Sequence, residues 1–253
     1  MKRKSIGLFA IVLTALTAAV GGLMRRYLLE NVMVARGIVQ DGSYFPLAMA
    51  IVVVVCLIGI AIFTGYMENR PGYMENFGVV DRRPFVTLTI CGGLIAMTGV
   101  MQLGEPQSAL EKANFYMCIL GGLTFAVFSI LHMLGRRPHV LLLLPLCIFT
   151  VMQLVCDYRM WSGDPLLLDY CYTLLADVVF MLAVFHLGGF CFDKGKRRIT
   201  AFWCGSGIVL NAISLVDATY SNTLSDIIYR AALLLMLLVL MGIFCIDTRK
   251  FEN

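Results

Sequence analysis

Residues 167–191 read LLDYCYTLLADVVFMLAVFHLGGFC. As a helix rising 1.5 Å per residue, such a run would reach about 37 Å, and about 20 mostly apolar residues suffice to cross a bilayer. Two aspartates and one histidine interrupt it: Asp169 at its edge, Asp177 near its middle and His186 toward its end. The stretch therefore predicts a transmembrane helix carrying an ionisable group inside the hydrocarbon. Both the fold class and the first functional candidate follow from it.

Seven further stretches have the same character. The eight together are about 5–24, 45–66, 85–103, 114–134, 139–156, 167–191, 199–216 and 227–246. The apolar class makes up 60% of the 253 residues and charged residues only 14%. Soluble domains sit near 45–50% and about 25%, so lipid must cover the excess. The expected fold is an all-α polytopic membrane bundle of about eight helices, a single membrane domain over 1–253. Pro46, Pro84, Pro138 and Pro165 each open a run, a position where a helix lacks internal N–H partners anyway. Pro145 stands inside the fifth run and predicts a kink. The start, MKRKSIGLFAIVLTALTAAVGG, also resembles a signal peptide; with seven runs behind it, an uncleaved first helix is expected.

Lysine and arginine counts orient the bundle. Fourteen fall on the side of the two termini and six on the other. This places both termini in the cytoplasm, in an integral membrane protein of the cytoplasmic or plasma membrane. Arg25 and Arg26 run against the rule and are expected to reach outer headgroups. The outer side collects acids, Asp157, Asp217 and Asp226 among them, which fits either a cation-attracting mouth or an ordinary solvated surface. Residues 27–40 place apolar side chains at helical spacing and predict a short helix lying on that interface.

The nine cysteines form no CxxC pair and no Cys/His cluster, so no metal or cofactor is expected. Cys156 and Cys171 flank one outer loop and would suit a disulfide, although buried thiols acting as small apolar groups are the plainer reading. The pentapeptide GYMEN occurs at 65–69 and again at 72–76. Arg70-Pro71-Gly72 should break any continuous helix between the copies. The second copy is expected to be a tolerant loop whose deletion leaves folding intact.

Halves 1–137 and 138–253 share a weak pattern. Thr87, Cys91, Gly92 and Thr98 align with Thr200, Cys204, Gly205 and Asn211 at a constant offset, and Tyr116 with Tyr229. This suggests a 4+4 parallel duplication. The two stripes of polar and small residues, Thr200, Cys204, Gly207, Asn211 and Ser214 in one half and Thr87, Cys91, Thr98 and Gln102 in the other, would either pack helices or line a cavity.

Ionisable groups inside a bilayer are costly and so are functional candidates. Asp177 leads, with Thr173 and Tyr170 on the same helix face. Arg230 stands four residues after Asp226, suited to a same-helix ion pair; it could instead meet Asp177 across the bundle or bind an anionic substrate. His186 lies on the opposite helix face from Asp177, and His132 near the end of its span.

These residues support a small-molecule or ion permease whose substrate meets Asp177, Thr173, Tyr170, Asn211, Thr200, Cys204 and Arg230. His186, His132, Thr98 and Gln102 are secondary candidates. A sensor or assembly partner binding lipid or another membrane protein, or itself as a homo-oligomer, is the alternative. A lipid-modifying enzyme ranks last, because no HExxH, GxSxG or paired DxxD pattern occurs. Nothing points to nucleic acid.

Overall fold

The computed structural model describes residues 3–35, 38–39, 43–78, 82–104, 108–161, 171–221 and 223–246. Eight of its helices are long and apolar enough to cross a membrane. They are α1 (Arg3–Tyr27), α2 (Phe45–Gly65), α4 (Arg83–Gln102), α5 (Ala109–Met133), α6 (Leu144–Trp161), α7 (Cys171–Phe190), α8 (Arg197–Ser221) and α9 (Leu224–Cys245); a five-residue helix α3 (Tyr73–Phe77) stands between α2 and α4. The chain is a helical membrane bundle, as its composition requires.

Local chemistry sets the ends. Proline occupies the first turn of α2 and of α4. At α5 the Ser108 hydroxyl accepts from the Glu111 N–H at 3.3 Å while the Glu111 carboxylate accepts from the Ser108 N–H at 3.0 Å, which satisfies two donors the helix leaves open. The fifth span begins as a 3-10 turn, Val140–Leu143, capped by His139 Nδ1 accepting from the Leu141 N–H. Helix α6 starts at Leu144, so Pro145 lies in its first turn and not in a kinked interior.

Residues 27–40 do not form the expected interfacial helix. Helix α1 loosens into a π-helical turn at Leu28–Val32, and the chain then pairs two short antiparallel strands, β1 (Met33–Ala35) and β2 (Ile38–Val39). The β-branched residues Val34, Ile38 and Val39 favour extended backbone, and Met33 already has it at φ −87°, ψ 126°. Leu28 and Val32 are buried with Met49 and Val53 of α2, which fixes the segment to protein.

Six helices close a ring. In order, α4 packs on α5, α5 on α6, α6 on α7, α7 on α8, α8 on α9, and α9 returns to α4. Helices α1 and α2 lie outside it, against α8, which is the most enclosed span. The tightest seam is α4–α5: a Cβ on Gly92 would stand 2.7 Å from the Gly122 carbonyl oxygen, and one on Gly122 would stand 2.5 Å from that of Gly92. Glycine at both positions lets the backbones touch. Helices α4 and α5 pack as a pair, as do α8 and α9. The remaining pairing differs, since α7 packs along α8 while α2 packs on α1 and α8; the 4+4 relation is not confirmed.

The second GYMEN copy closes one end of the ring. The same five letters are buried in opposite registers: Tyr66 is 72% exposed and Met67 buried, whereas Tyr73 is buried and Met74 72% exposed. The first copy finishes α2, and the second enters α3, which presents Tyr73, Asn76 and Phe77 inward. Phe77 meets Phe85 of α4, His132 of α5, Phe190 of α7 and Phe244 of α9. The segment expected to be a tolerant loop is a plug against four of the six ring helices. Alternation of apolar and polar letters was too short there to separate a buried turn from a solvated one.

Candidate functional site

At the ring end away from the termini, polar side chains from all six ring helices converge. Asp177 on α7 is fully buried, and Arg230 on α9 is 5% exposed. The two form a bidentate pair: Arg230 Nη1 donates to Asp177 Oδ1 at 2.5 Å and Nη2 to Oδ2 at 3.0 Å. Asp177 is six residues into its helix and Arg230 six into its own, so both lie about 9 Å from the helix ends. Both measures run from the first described residue of the helix, Cys171 in α7 and Leu224 in α9.

Around the pair lie further groups. Asp157 of α6 is 6% exposed and shares electrostatic interactions with Asp177, Arg230 and Asp226. Its Oδ1 accepts from Gln153 Nε2 at 2.9 Å, and Gln153 Oε1 accepts from Asn114 Nδ2 of α5 at 2.6 Å. Gln102 of α4 donates to the Ser225 hydroxyl and to Asp226 Oδ1, each at 3.4 Å. The Ser214 hydroxyl of α8 donates to that of Thr173 at 3.4 Å. The Tyr229 ring packs edge-on against Phe149. Tyr229 Oη, Asn114 Oδ1 and Asn211 Oδ1 are buried without a hydrogen-bond partner. Buried polar atoms rarely stay unpaired; His132 Nε2, Trp203 Nε1 and Ser206 Oγ are unpartnered elsewhere in the bundle, so such atoms are not confined to this end.

The expected site residues thus divide. Asp177, Arg230, Thr173 and Gln102 come together at this end. Arg230 takes Asp177 across the bundle, and Asp226 takes Gln102. Asn211 lies one turn from Ser214 on α8, its amide N–H₂ donating to the Gly207 carbonyl. Thr200 and Cys204 are fully buried but belong to the other half of α8, with Thr200 donating to the Lys196 carbonyl. Thr98 donates to the Ile95 carbonyl and meets Cys118 Sγ at 3.6 Å. His186 packs edge-on against Phe185. Tyr170 lies outside the described residues. Asp157, Gln153, Asn114 and Tyr229 were missed: Asp157 passed for a loop acid because its helix runs on to Trp161, and the others are ordinary letters whose convergence is tertiary.

Arg25 is not a snorkelling side chain. Its Nε donates to Asp217 Oδ1 of α8 at 2.6 Å, and its guanidinium lies 5.8 Å from the Tyr172 ring centre. Arg26 is exposed and pairs with Glu30, which also accepts from Tyr220. Acids of the same end thus pair with both cations. Cys156 and Cys171 are free thiols.

The plugged end is a second polar construction. Tyr73 Oη lies 2.7 Å from His132 Nδ1, and His132 is boxed by the rings of Tyr73, Phe77, Phe85 and Phe128. The Tyr73 N–H donates to Asp193 Oδ1 at 2.8 Å, and Arg137 pairs with Asp193 Oδ2 at 2.8 Å. Asp193 sits at φ 55°, a left-handed conformation that aspartate tolerates better than most residues. Its bond from the Tyr73 N–H, then Arg137, hold the Asp193 carboxyl below the usual range, while burial pushes the Tyr73 phenol above its own. Arg198 Nε reaches the Met67 carbonyl and the Gly195 N–H the Pro71 carbonyl. The plug is thereby tied to the α7–α8 turn on both sides.

No known protein family, no curated protein and no solved structure matches this chain.

Proposed function

We propose that this multi-pass membrane protein is a carrier for a small solute, moving it through the six-helix ring between two closures. One closure is the Asp177–Arg230 pair with its neighbours; the other is the α3 plug. The observation that carries the reading is the ion pair inside the ring. Burying a carboxylate and a guanidinium in a membrane protein costs several kcal/mol per ion (about, after relaxation), and apolar residues of the same volume often pack as well or better. Charge kept at that cost has a use, and intramembrane charges commonly mark substrate or ion paths. Alternating exposure requires two closures at opposite ends of one ring, and polar contacts occupy both ends here. The lysine and arginine distribution favours a cytoplasmic side for the termini, and with them the plug.

The test is transport by purified protein in liposomes, read as electrical current on a supported membrane. Amino acids, organic acids and sugars are applied in turn, with and without a proton or sodium gradient. The reading expects a current for at least one class that Asp177→Asn and Arg230→Gln abolish. Currents indistinguishable from protein-free liposomes across the panel would refute it.

A further inference from the structure

We propose that Asp157 is the seat of one exchangeable positive charge, a proton or a sodium ion, held beside the Asp177–Arg230 pair. The proposal deepens the carrier reading and rests on it by naming the coupling ion.

The argument begins with charge. Both terminal nitrogens of Arg230 are engaged by the two oxygens of Asp177. Asp157 is a second buried carboxylate at the same place, and its hydrogen bond comes from the uncharged amide of Gln153. One guanidinium balances one carboxylate, so the buried set needs one more positive charge to be neutral, and unbalanced charge in a low-dielectric interior is expensive. The charged and titratable groups that act on Asp157 are Asp177 of α7 and Tyr229, Arg230 and Asp226 of α9, with Asn114 of α5 reached through Gln153; Glu111 and Arg159 act on the adjoining Cys156. Asp226 adds negative charge at the rim, while Glu111 and Arg159 offset each other there.

The second line is the orphaned oxygens. Asn114 Oδ1 and Tyr229 Oη are buried and unpartnered. Asn114 is joined through Gln153 to Asp157, and the Tyr229 phenol interacts with Asp157 and Asp177. Carboxylate, amide and hydroxyl oxygens suit a hard cation. The single unbalanced carboxylate calls for one positive charge, that of a proton or of sodium. When the charge is a proton, it comes from water at the Gln102–Asp226 rim and bonds to Asp157 Oδ2, leaving Oδ1 to accept from Gln153. Sodium replaces it one for one.

Infrared difference spectroscopy of the full chain in detergent tests this without requiring transport, so it separates from the carrier test. The buffer salts are sodium chloride and N-methylglucamine chloride, each titrated from acid to alkali. The wild type should show a protonated-carboxyl band that vanishes on alkalinisation and is missing in Asp157→Asn. Loss of the band on adding sodium at fixed pH identifies sodium as a competitor; insensitivity to sodium identifies the proton alone. A band unchanged in Asp157→Asn overturns the proposal, as does a wild type with neither a titrating band nor a sodium response. Should Asp157→Asn fail to fold, Asp157→Glu must move the band, and an unmoved band overturns the proposal equally.

Discussion

Tyr73 and His132 meet oxygen to nitrogen at 2.7 Å, 59 residues apart in the chain, with their rings stacked at 5.2 Å. The contact turns a repeated pentapeptide into a structural part, because Tyr66, at the same place in the first copy, is exposed. Tyr73→Phe leaves His132 Nδ1 unpaired beside an Nε2 that already has no partner. Losing a buried partner costs about 1–3 kcal/mol. The melting temperature in detergent should fall for Tyr73→Phe and stay put for Tyr66→Phe. Deleting residues 72–78 should abolish a monodisperse species altogether.

The acid side of stability should depend on Asp193. Its folded pKa lies below its ordinary value of 3.8, held there by the Tyr73 N–H and Arg137. A depressed carboxylate stabilises the fold above its unfolded pKa and loses that contribution as pH drops through the folded one. Thermal stability should therefore decline below the ordinary aspartate range in the wild type. Asp193→Asn, keeping the side-chain shape, should lower stability at neutral pH and flatten that acid decline. Parallel curves for the two proteins would show that the carboxylate does not anchor the plug.

Removing one partner of the Asp177–Arg230 pair leaves an uncompensated buried charge, at a cost of about 3–5 kcal/mol. Asp177→Asn and Arg230→Gln should each melt well below the wild type. The double variant Asp177→Leu with Arg230→Met restores an apolar interior and should recover most of the lost stability in a double-mutant cycle while remaining inactive in liposomes. A double variant no more stable than either single one would assign the effect to packing.

Much of the architecture was legible in the letters because bilayers impose a strong rule. Long apolar runs must be helices, and α4, α7 and α9 appear where such runs occur. Asp177 stood out for the same reason, as a charge among apolar neighbours. What stayed hidden is tertiary. Asp157 sits where an apolar run meets a polar loop, and only the ring shows that its helix continues past it. Arg25 looked like a topology violation because Asp217, 192 residues on, supplies its partner. The extended turn after Val32 was masked by apolar spacing that suits a helix and two short strands equally. The second GYMEN copy carries too few residues for periodicity to mark a buried face.

Arg25 and Arg26 make a paired comparison within one helix. The Arg25 side chain is 4% exposed and that of Asp217 21%, whereas Arg26 and Glu30 are 65% and 42% exposed. Salt screens exposed pairs and spares enclosed ones. Arg25→Ala should lower the melting temperature at low and high salt alike, because it also uncovers Tyr172 and leaves Asp217 without its guanidinium. Arg26→Ala should have no measurable effect once salt is raised.

The α4–α5 seam gives the sharpest packing test. Gly92 and Gly122 face each other backbone to backbone, and a methyl on either meets carbonyl oxygen closer than any real contact allows. The neighbour cannot rotate away, since the atoms met are main chain. Gly122→Val should therefore force the helices apart and open the ring between α4 and α5, next to the Cys118–Thr98 contact. Overpacking of this kind costs about 1–3 kcal/mol, occasionally more. Gly93, whose Cβ would meet nothing within 4 Å, supplies the control: Gly93→Ala should be neutral or slightly stabilising, since alanine is the better helix former by about 1 kcal/mol. Equal losses of melting temperature for Gly122→Val and Gly93→Ala would show that the seam is not set by backbone approach.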